Sequence, residues 1–443
     1  MVKYNKFIFI LSNFIISFSI FLLIFVSRYD FFSFLFVRKR ELNTFFILLF
    51  LIYSLFIVIF NIALKVYEIN KIYRFIESLP THFLSSIFAS VLIGFYFYFT
   101  QTNFARFVFF AGFAIVPIAN SIYNKIVFSN IFIKNRKYTL FLLSKDGEKK
   151  EILKKLIDKY KKIFPLYIIT TDDSYKISKE DLKNIDILVI DTAAKYNDEE
   201  LEFLNNYELS GGKIYSLLDI FIYFDQKIPP NLVPTHYLEL FTSYKLDSIY
   251  TRYIKRIADI FIAFVLILLT SPILLITSII IVITSKGGVL YVQKRVGINQ
   301  KEFNMFKFRS MVTNAEKDGA KFTKKNDNRI TLIGKIIRPL RIDELPQLFN
   351  ILKGDMSFIG PRPERPEFIN EITKKIPLFK KRLLIKPGLT GWAQVKYSYV
   401  NTIEDMEEKL SYDLYYISNM GPLLDLKISL YTLETVIFRR GAI

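Results

Sequence analysis

The chain has 443 residues, 52% of them hydrophobic and 23% charged, and its mean hydropathy of +0.29 predicts a membrane protein and argues against a disordered chain. The sequence contains no cysteine and only two histidines, which excludes disulfides, thiol nucleophiles and cysteine-ligated metals and argues against a multi-histidine site. The formal net charge of +19 predicts an anionic partner, such as lipid headgroups, nucleic acid or a phosphorylated substrate.

Four apolar segments in the first third of the chain are long enough to be membrane spans. They are Phe7–Val26, Thr44–Leu64, Phe83–Phe99 and Phe107–Tyr123. A helix rises about 1.5 Å per residue, so segments of this length match a hydrocarbon layer of about 30 Å. We therefore predict a four-span transmembrane bundle over residues 1–136.

Basic residues near the span ends predict how the bundle is oriented. One side holds Lys3, Lys6, Lys65, Lys71, Arg74, Lys125, Lys134, Arg136 and Lys137, and the other holds Arg28, Arg38, Lys39, Arg40 and Arg106. Because cytoplasmic loops are the richer in lysine and arginine, this difference favours the cytoplasm for both ends of the bundle.

Residues 137–242 alternate between strand and helix patterns. We predict strands at Tyr138–Leu143, Leu166–Thr170, Asp186–Asp191 and Lys213–Leu217, and helices at Lys149–Lys162 and Asn197–Tyr207. Strands separated by helices predict a parallel sheet of Rossmann type. The first turn, residues 144–148, lacks a glycine-rich phosphate fingerprint, so we interpret the domain as degenerate, with a structural or regulatory role.

A fifth apolar segment, Ile260–Ser285, has basic residues at both ends and Ser271-Pro272 near its middle. Proline removes one helical hydrogen bond and kinks the helix. The residues alone leave two interpretations open: a hairpin that enters and leaves the inner leaflet, or a straight span that tolerates the proline. We assign residues 243–285 to a linker and this membrane helix, and residues 286–443 to a C-terminal domain.

The C-terminal domain begins with strand patterns at Val289–Gln293 and Glu302–Phe308, which predict a β-hairpin. Lys307 and Arg309 occupy alternate positions at the end of the second strand pattern, so we expect them to share a face. A basic face of this kind also occurs on strands that are merely solvated.

A helix pattern between Asp343 and Gly354 contains the acidic pair Asp343-Glu344 at its start and Pro346 in its first turn. The N-terminus of a helix favours anions, so this end is a candidate phosphate site. With no cysteine and no suitable histidine, a carboxylate is the candidate nucleophile, and carboxylates also bind Mg²⁺. An acidic N-cap followed by a glutamate that complements the helix dipole explains the same pair without any function.

Three further segments each allow two interpretations. Pro361-Arg362-Pro363 presents a guanidinium on a stiff loop, either for a phosphate or carboxylate or for solvent. Phe368–Leu384, which Pro377 divides, contains five basic residues and lies either on anionic lipid or on a soluble core. Trp392 is the single tryptophan and belongs either to a packed turn or to a membrane-interface anchor.

Ordered sequence strings run from about Tyr253 to the C-terminus. They are Lys255–Asp259, Gln293–Gly297, Lys307–Met311, Asp327–Thr331, Asp343–Gln347, Gly354–Pro363, Pro387–Gln394 and Tyr412–Tyr416. In these strings the chain resembles the bacterial sugar transferases, polyprenyl-phosphate sugar-1-phosphate transferases with one re-entrant membrane helix. The resemblance implies a membrane α/β protein with four parts: a transmembrane bundle, a degenerate Rossmann-like domain, a re-entrant helix broken at Ser271-Pro272, and a small, mainly helical α+β catalytic domain at the membrane.

The same resemblance implies an activity. A UDP-sugar and undecaprenyl phosphate would give undecaprenyl-diphosphate-sugar and UMP, which initiates the assembly of an exopolysaccharide, capsule, O-antigen or glycoconjugate. Asp343 would be the nucleophile of a two-step exchange, and Glu344, with Asp343, would hold Mg²⁺. The implied substrate contacts are Lys307, Arg309, Arg338, Gln347, Pro361, Arg362 and Pro363. The catalytic domain would lie on the cytoplasmic face of the bacterial inner membrane, among anionic lipids.

A different class of function is a non-catalytic membrane scaffold for polysaccharide assembly, which the large N-terminal part favours. Nucleic acid is not the expected partner, because no recognised binding motif accompanies the positive charge. The sequence leaves open which sugar is transferred and whether the chain forms a homo-oligomer.

Overall fold

The computed structural model describes the chain except for residues 1–5, 29–39, 65, 68–74, 101–105, 129–137, 144–146, 161–165, 171–186, 192–193, 195, 234–245, 247, 286, 314–326, 398–402 and 438–443. Its contacts form two compact units, Met1–Leu217 and Leu218–Ile443.

Four long helices form the N-terminal bundle: α1 (Lys6–Arg28), α2 (Arg40–Ala63), α3 (Phe75–Thr100) and α4 (Arg106–Val127). They contain the four predicted apolar segments except Leu64, which follows the end of α2. The core of the bundle is aromatic, with the Phe21 ring stacked on the Tyr53 ring at 4.6 Å between centroids. Within the described residues, α1, α2 and α3 have the length and hydropathy of membrane spans, and so does the later helical segment Tyr250–Thr284. The prediction of a membrane protein is confirmed to this extent.

Polar side chains that are at most 3% exposed run between the bundle helices. This polar seam consists of Asn13, Ser17, Asn61, Tyr67, His82, Asn120 and Asn124. Asn120 Nδ2 donates to Ser17 Oγ at 3.1 Å, and Asn13 Nδ2 donates to Tyr67 OH at 3.1 Å. Asn124 Nδ2 lies 3.1 Å from His82 Nε2. The seam therefore links α1, α3 and α4 by interhelical hydrogen bonds, which hold helices together in lipid.

A four-stranded parallel sheet follows the bundle. It contains β1 (Tyr138–Leu143), β2 (Leu166–Thr170), β3 (Ile187–Ile190) and β4 (Ile214–Ser216) in the order β2-β1-β3-β4. Helix α5 (Gly147–Tyr160) follows β1, and α6 (Asp198–Leu209) follows β3. These elements confirm the predicted alternation and the parallel pairing. Residues 144–146, Lys161, Lys162 and Asp186, which also entered the prediction, lie outside the described residues.

The second compact unit begins inside α7 (Leu217–Phe224), before the predicted boundary at residue 243. The residues that follow α7 pack into the C-terminal domain. Trp392 Nε1 donates to the Gln226 carbonyl at 2.8 Å, and Lys427 Nζ donates to Gln226 Oε1 at 2.6 Å. The Ile228 amide donates to the Ser411 carbonyl at 2.8 Å. Trp392 is fully buried, which supports a packed turn and not an interface anchor.

Helix α8 (Lys255–Thr284) is continuous through Pro272, so the prediction that Ser271-Pro272 divides this segment into two helices is wrong. Proline removes the N–H that would bond to the Leu268 carbonyl, four residues earlier. Ser271 Oγ donates to that same carbonyl at 2.8 Å and takes the place of the missing amide. The backbone therefore stays helical.

Both ends of α8 contact the same compact unit. Near its start, the Arg256 guanidinium donates to the carbonyls of Ile351 and Leu352 at 2.6 and 2.9 Å. Near its end, Ile281 is buried in one hydrophobic cluster with Phe308. The opposite side of α8 leaves large apolar side chains exposed, among them Phe261 at 67%, Leu269 at 70% and Ile283 at 77%.

The rest of the unit is a mixed domain of short elements. A hairpin of β5 (Leu290–Val296) and β6 (Glu302–Phe308) confirms the prediction, with β5 reaching three residues further than expected. The other elements are α9 (Leu332–Ile337), α10 (Gln347–Lys353), β7 (Ser357–Ile359), α11 (Pro366–Lys375), β8 (Gly388–Thr390), α12 (Trp392–Lys396), α13 (Ile403–Asn419) and α14 (Pro422–Ile437).

The basic segment predicted over Phe368–Leu384 is α11 and a 3₁₀ helix, Pro377–Leu384, which meet at the predicted proline. Its apolar side chains, including Ile372 and Phe379, are buried in the core of the unit. This packing is what the alternative of a soluble core predicts.

Candidate active site

The acidic pair lies in a 3₁₀ turn, Ile342–Glu344, that precedes α10. The prediction that Asp343 caps this helix is wrong, because the N-cap is Pro346. Arg341 adopts a left-handed conformation with φ 57°, and its carbonyl accepts the Glu344 amide at 3.2 Å. The chain therefore makes a tight turn before the helix begins, and the carboxylates are governed by nearby cations and not by a helix end.

Glu344 is surrounded by three basic side chains. Its Oε1 accepts from Lys307 Nζ at 3.0 Å and from Arg362 Nη2 at 3.0 Å, and its Oε2 lies 3.8 Å from Arg341 Nη1. Burial alone would raise the pKa of Glu344, but these cations outweigh it and hold the pKa well below its usual range. Glu344 is therefore ionised at neutral pH.

Asp343 has the opposite environment. Among the described residues no side chain hydrogen-bonds or ion-pairs with its carboxylate, which is 9% exposed. Burial, together with the negative charge of Glu344, raises the pKa of Asp343 to about 6, against the weaker effect of Lys307, Arg338 and Arg341. A carboxylate that no described side chain binds, close to cations, is suited to act as a nucleophile toward an anionic electrophile.

The structure brings Lys307 and Arg362 to the acidic pair but not Arg309. Lys307 is on β6, and its burial lowers the pKa of the ammonium group against the opposing effect of Glu344. Strand β6 ends at Phe308, so the alternation that predicted a shared face does not extend to Arg309. Arg309 Nε donates to the Gly288 carbonyl at 2.7 Å instead.

The remaining predicted residues lie near the acidic pair, either in the sequence or in the structure. Arg338 ends α9 and is near enough to affect the pKa of Asp343. Gln347 begins α10, is 2% exposed, and its Nε2 has no hydrogen-bond partner in the described part of the chain. Pro361 and Pro363 flank Arg362 as the sequence requires. Arg341, which sequence reasoning did not select, also faces Glu344, and its position next to the acidic turn could have indicated it.

The acidic pair is the candidate site for Mg²⁺. Among the described residues no group of three or more histidine, cysteine, aspartate or glutamate side chains could hold a metal. Mg²⁺ is commonly held by one or two carboxylates, with water and substrate phosphate as the other ligands. Asp343 and Glu344 provide two such carboxylates, and no other described side chain pairs with Asp343, so the donor set fits this mode of binding.

The part of the chain that contains the acidic pair is similar to known proteins. A family profile described as bacterial sugar transferase matches residues 250–439. A UDP-N-acetylgalactosamine-undecaprenyl-phosphate N-acetylgalactosaminephosphotransferase from Aeromonas hydrophila is 45% identical over 197 residues, 44% of this chain and 47% of the relative. An undecaprenyl-phosphate glucose phosphotransferase from Komagataeibacter xylinus is 40% identical over 197 residues, 42% of this chain and 36% of the relative.

A third relative is matched over more of its own length. A UDP-glucose:undecaprenyl-phosphate glucose-1-phosphate transferase from Caulobacter vibrioides is 35% identical over 185 residues, 41% of this chain and 69% of the relative. The match to the first two relatives spans less than half of their lengths.

Proposed function

The chain belongs to the bacterial sugar transferase family, and from this premise we propose that it transfers a sugar-1-phosphate from a UDP-sugar to undecaprenyl phosphate. The names of the three relatives support the acceptor and the type of reaction. The observation that carries the proposal is the contrast within the acidic pair. Asp343 has no hydrogen-bond or ion-pair partner among the described residues, whereas Glu344 is held by Lys307 and Arg362.

The proposed exchange has two steps. In the first, a carboxylate oxygen of Asp343 attacks the phosphorus that bears the sugar. The bond from this phosphorus to the bridging oxygen breaks, and UMP leaves with that oxygen and the electron pair. In the second, a phosphate oxygen of undecaprenyl phosphate attacks the same phosphorus, and the bond to Asp343 breaks and restores the carboxylate.

Positive charge around the acidic pair would hold the diphosphate during both steps. Arg338 and Arg341 lie close enough to lower the pKa of Asp343, and Arg362 lies next to Glu344. Fixed cations stabilise charge that develops on phosphate oxygens. Asp343 and Glu344 would hold Mg²⁺, which would neutralise charge on the diphosphate.

We place this site at the cytoplasmic surface of the inner membrane. In this proposal α8 stays helical but is kinked at Pro272, so that it enters one leaflet and returns. Both ends of α8 contact the same unit, as expected of a helix that does not carry the domain across a bilayer. Next to the acidic turn, Leu332, Ile336 and Leu340 are 82%, 59% and 41% exposed. These side chains, with the uncovered side of α8, offer an apolar surface to lipid, and the basic residues favour anionic headgroups.

The experiment is UMP release from a panel of UDP-sugars by the purified full chain with undecaprenyl phosphate and Mg²⁺. Asp343→Asn should lower the rate by about a thousandfold or more, because removal of a catalytic nucleophile has effects of this size. Glu302→Gln, on the exposed end of β6, is the matched control and should keep the wild-type rate.

With UDP-sugar alone, mass spectrometry should detect a phosphosugar on the peptide containing Asp343 in the wild type but not in Asp343→Asn. Near-full turnover by Asp343→Asn would overturn the mechanism. Absence of UMP release with every UDP-sugar tested would favour a non-catalytic scaffold.

A further inference from the structure

The loop that carries Arg362 is bound to the domain through every one of its carbonyl groups. This tethered loop consists of residues 361–364. Its carbonyls accept, in chain order, from the Gly388 amide at 2.9 Å, Arg382 Nη2 at 2.8 Å, Arg295 Nη1 at 2.8 Å and the Val296 amide at 3.0 Å. Four consecutive carbonyls thus have donors from β5, from β8 and from the 3₁₀ helix Pro377–Leu384.

The proline content of the loop explains why the tethers are carbonyl bonds. Pro361 and Pro363 have no amide hydrogen, so neither can donate a backbone hydrogen bond. The loop has four carbonyls but only two amide N–H groups, those of Arg362 and Glu364. Arg382 binds the carbonyl of Arg362 itself, and Arg295 binds that of Pro363.

Both tethering guanidinium groups are buried and have a carboxylate partner. The side chains of Arg295 and Arg382 are 14% and 4% exposed. Arg382 Nε donates to Asp413 Oδ2 at 2.7 Å, and Arg295 Nη1 lies 3.6 Å from Glu364 Oε2. Burying a charge is costly unless it is paired, so each arginine requires its own carboxylate in addition to the loop carbonyl.

The loop carboxylate Glu364 is paired on its other oxygen. Lys409 Nζ on α13 donates to Glu364 Oε1 at 2.7 Å, and the side chains of both residues are 8% exposed. Burial opposes the ionised form, but Lys409, Arg382 and Arg295 lower the pKa of Glu364 to about 2. The network therefore stays charged at neutral pH and binds the loop to α13.

The guanidinium of Arg362 depends on this support. The side chain of Arg362 is 31% exposed, and its Nη2 donates to Glu344 Oε1 at 3.0 Å. Glu364 and Asp343 are also near enough to raise the pKa of Arg362. A displacement of about 1 Å in a substrate-positioning group costs about a hundredfold in rate. A loop fixed at all four carbonyls prevents such a displacement.

We infer that Arg295 and Arg382 are positioning residues, which act through the carbonyls of Pro363 and Arg362 to hold the Arg362 guanidinium against Glu344. The inference rests on the proposed function for its effect on turnover, while the effect on the loop is independent of any reaction. Neither arginine touches the acidic pair in the described contacts.

The test uses Arg382→Lys and Arg295→Lys in the full chain. Lysine keeps the positive charge near the carboxylate, but a single ammonium group cannot reproduce the planar fork that joins a carboxylate and a carbonyl. Each variant should lower kcat for UMP release by about tenfold to a hundredfold. In an Arg362→Ala background the same substitutions should lower kcat less than twofold further, because the group they position is absent.

A merely structural role gives a different result. If the two arginines act only on folding, their effects in the Arg362→Ala background will multiply with that of Arg362→Ala, and the inference is overturned. Lys294→Ala is the matched control on β5, since the Lys294 side chain is 74% exposed, and it should leave kcat unchanged.

Hydrogen exchange provides a readout without turnover. Peptides covering residues 359–366 should exchange faster in both lysine variants than in the wild type and in Lys294→Ala, while the bundle peptides stay unchanged. Wild-type exchange in this loop would overturn the inference. If the wild type releases no UMP, the proposed function fails, and the exchange result alone still decides whether the two arginines hold the loop.

Discussion

Two neighbouring carboxylates with opposite pKa shifts are the central feature of the site at the scale of single residues. Glu344 is kept ionised by Lys307, Arg362 and Arg341, and its charge in turn helps to raise the pKa of Asp343. Environments that separate two such pKa values are a common way to give adjacent carboxylates different tasks. Here the basic side chains bind or lie next to ionised Glu344. Among the described residues no side chain binds Asp343, the candidate nucleophile.

The pKa of about 6 at Asp343 predicts how the proposed first half-reaction depends on pH. Because the protonated carboxyl is not a nucleophile, kcat/KM for UMP release from UDP-sugar should be level above pH 7 and fall toward tenfold per pH unit below about 6. The donor half-reaction is the one to measure, since a phosphate monoester acceptor itself titrates near pH 6.

The control for this prediction is the thermal unfolding of the protein across the same pH range, which separates loss of activity from loss of fold. A profile that stays level down to pH 5 would contradict the raised pKa.

Sequence patterns selected the residue types of the site but not all of their placements. The sequence pattern predicts Lys307 and Arg309 equally as substrate contacts. They differ in the structure because β6 ends at Phe308, between the two residues. Arg341 lies next to the acidic pair in the sequence, but its left-handed backbone has no sequence signal in a non-glycine residue, so its contact with Glu344 was not predicted. A sequence pattern therefore does not predict contacts that depend on where a strand ends or on an unusual backbone conformation.

At the scale of elements, hydrophobic periodicity predicted correctly that α10 exists and where it ends, but not where it begins. The spacing of Leu348 and Leu352 and the stop at Gly354, whose φ is 99°, match the structure. The start is wrong because the acidic residues that suit an N-cap are used in a separate 3₁₀ turn. For α8, proline suggested a break, and the neighbouring serine removes the need for one.

Ser271 and Pro272 should therefore be coupled energetically. Ser271→Ala should destabilise the protein by about 1 kcal/mol, because the Leu268 carbonyl loses its donor. In a Pro272→Ala background the same change should cost close to nothing, since the alanine amide donates to that carbonyl. Thermal unfolding in detergent measures both, with Ser278→Ala as a control on the same helix, and equal losses in the two backgrounds would contradict the compensation.

At the scale of the whole molecule, hydrophobic segments and strand-helix alternation predicted the order of the parts. They did not predict that residues 225–228 pack into the C-terminal domain, because contacts such as Gln226 with Trp392 join positions far apart in the chain. The boundary of a compact unit depends on such contacts, whereas composition changes only mark where one pattern gives way to another.

Two shortened chains test the role of this segment. A chain beginning at residue 218 should unfold at a higher temperature than one beginning at residue 243. The shorter chain loses three hydrogen bonds, so its free energy of unfolding should be lower by about 3 kcal/mol. The fluorescence of Trp392, the single tryptophan, should shift to longer wavelength in the shorter chain only. Identical emission and melting of the two chains would show that the segment contributes nothing.

The polar seam of the N-terminal bundle has a mechanical consequence. Lipid tails are as apolar as leucine, so a smooth hydrophobic helix could rotate or slide against its neighbours at little cost. Turning α4 by one residue would swing Asn120 and Asn124 away from Ser17 and His82 and into hydrocarbon. The hydrogen bonds of these amides therefore fix the rotation of each helix about its own axis. The aromatic core alone would leave this rotation variable.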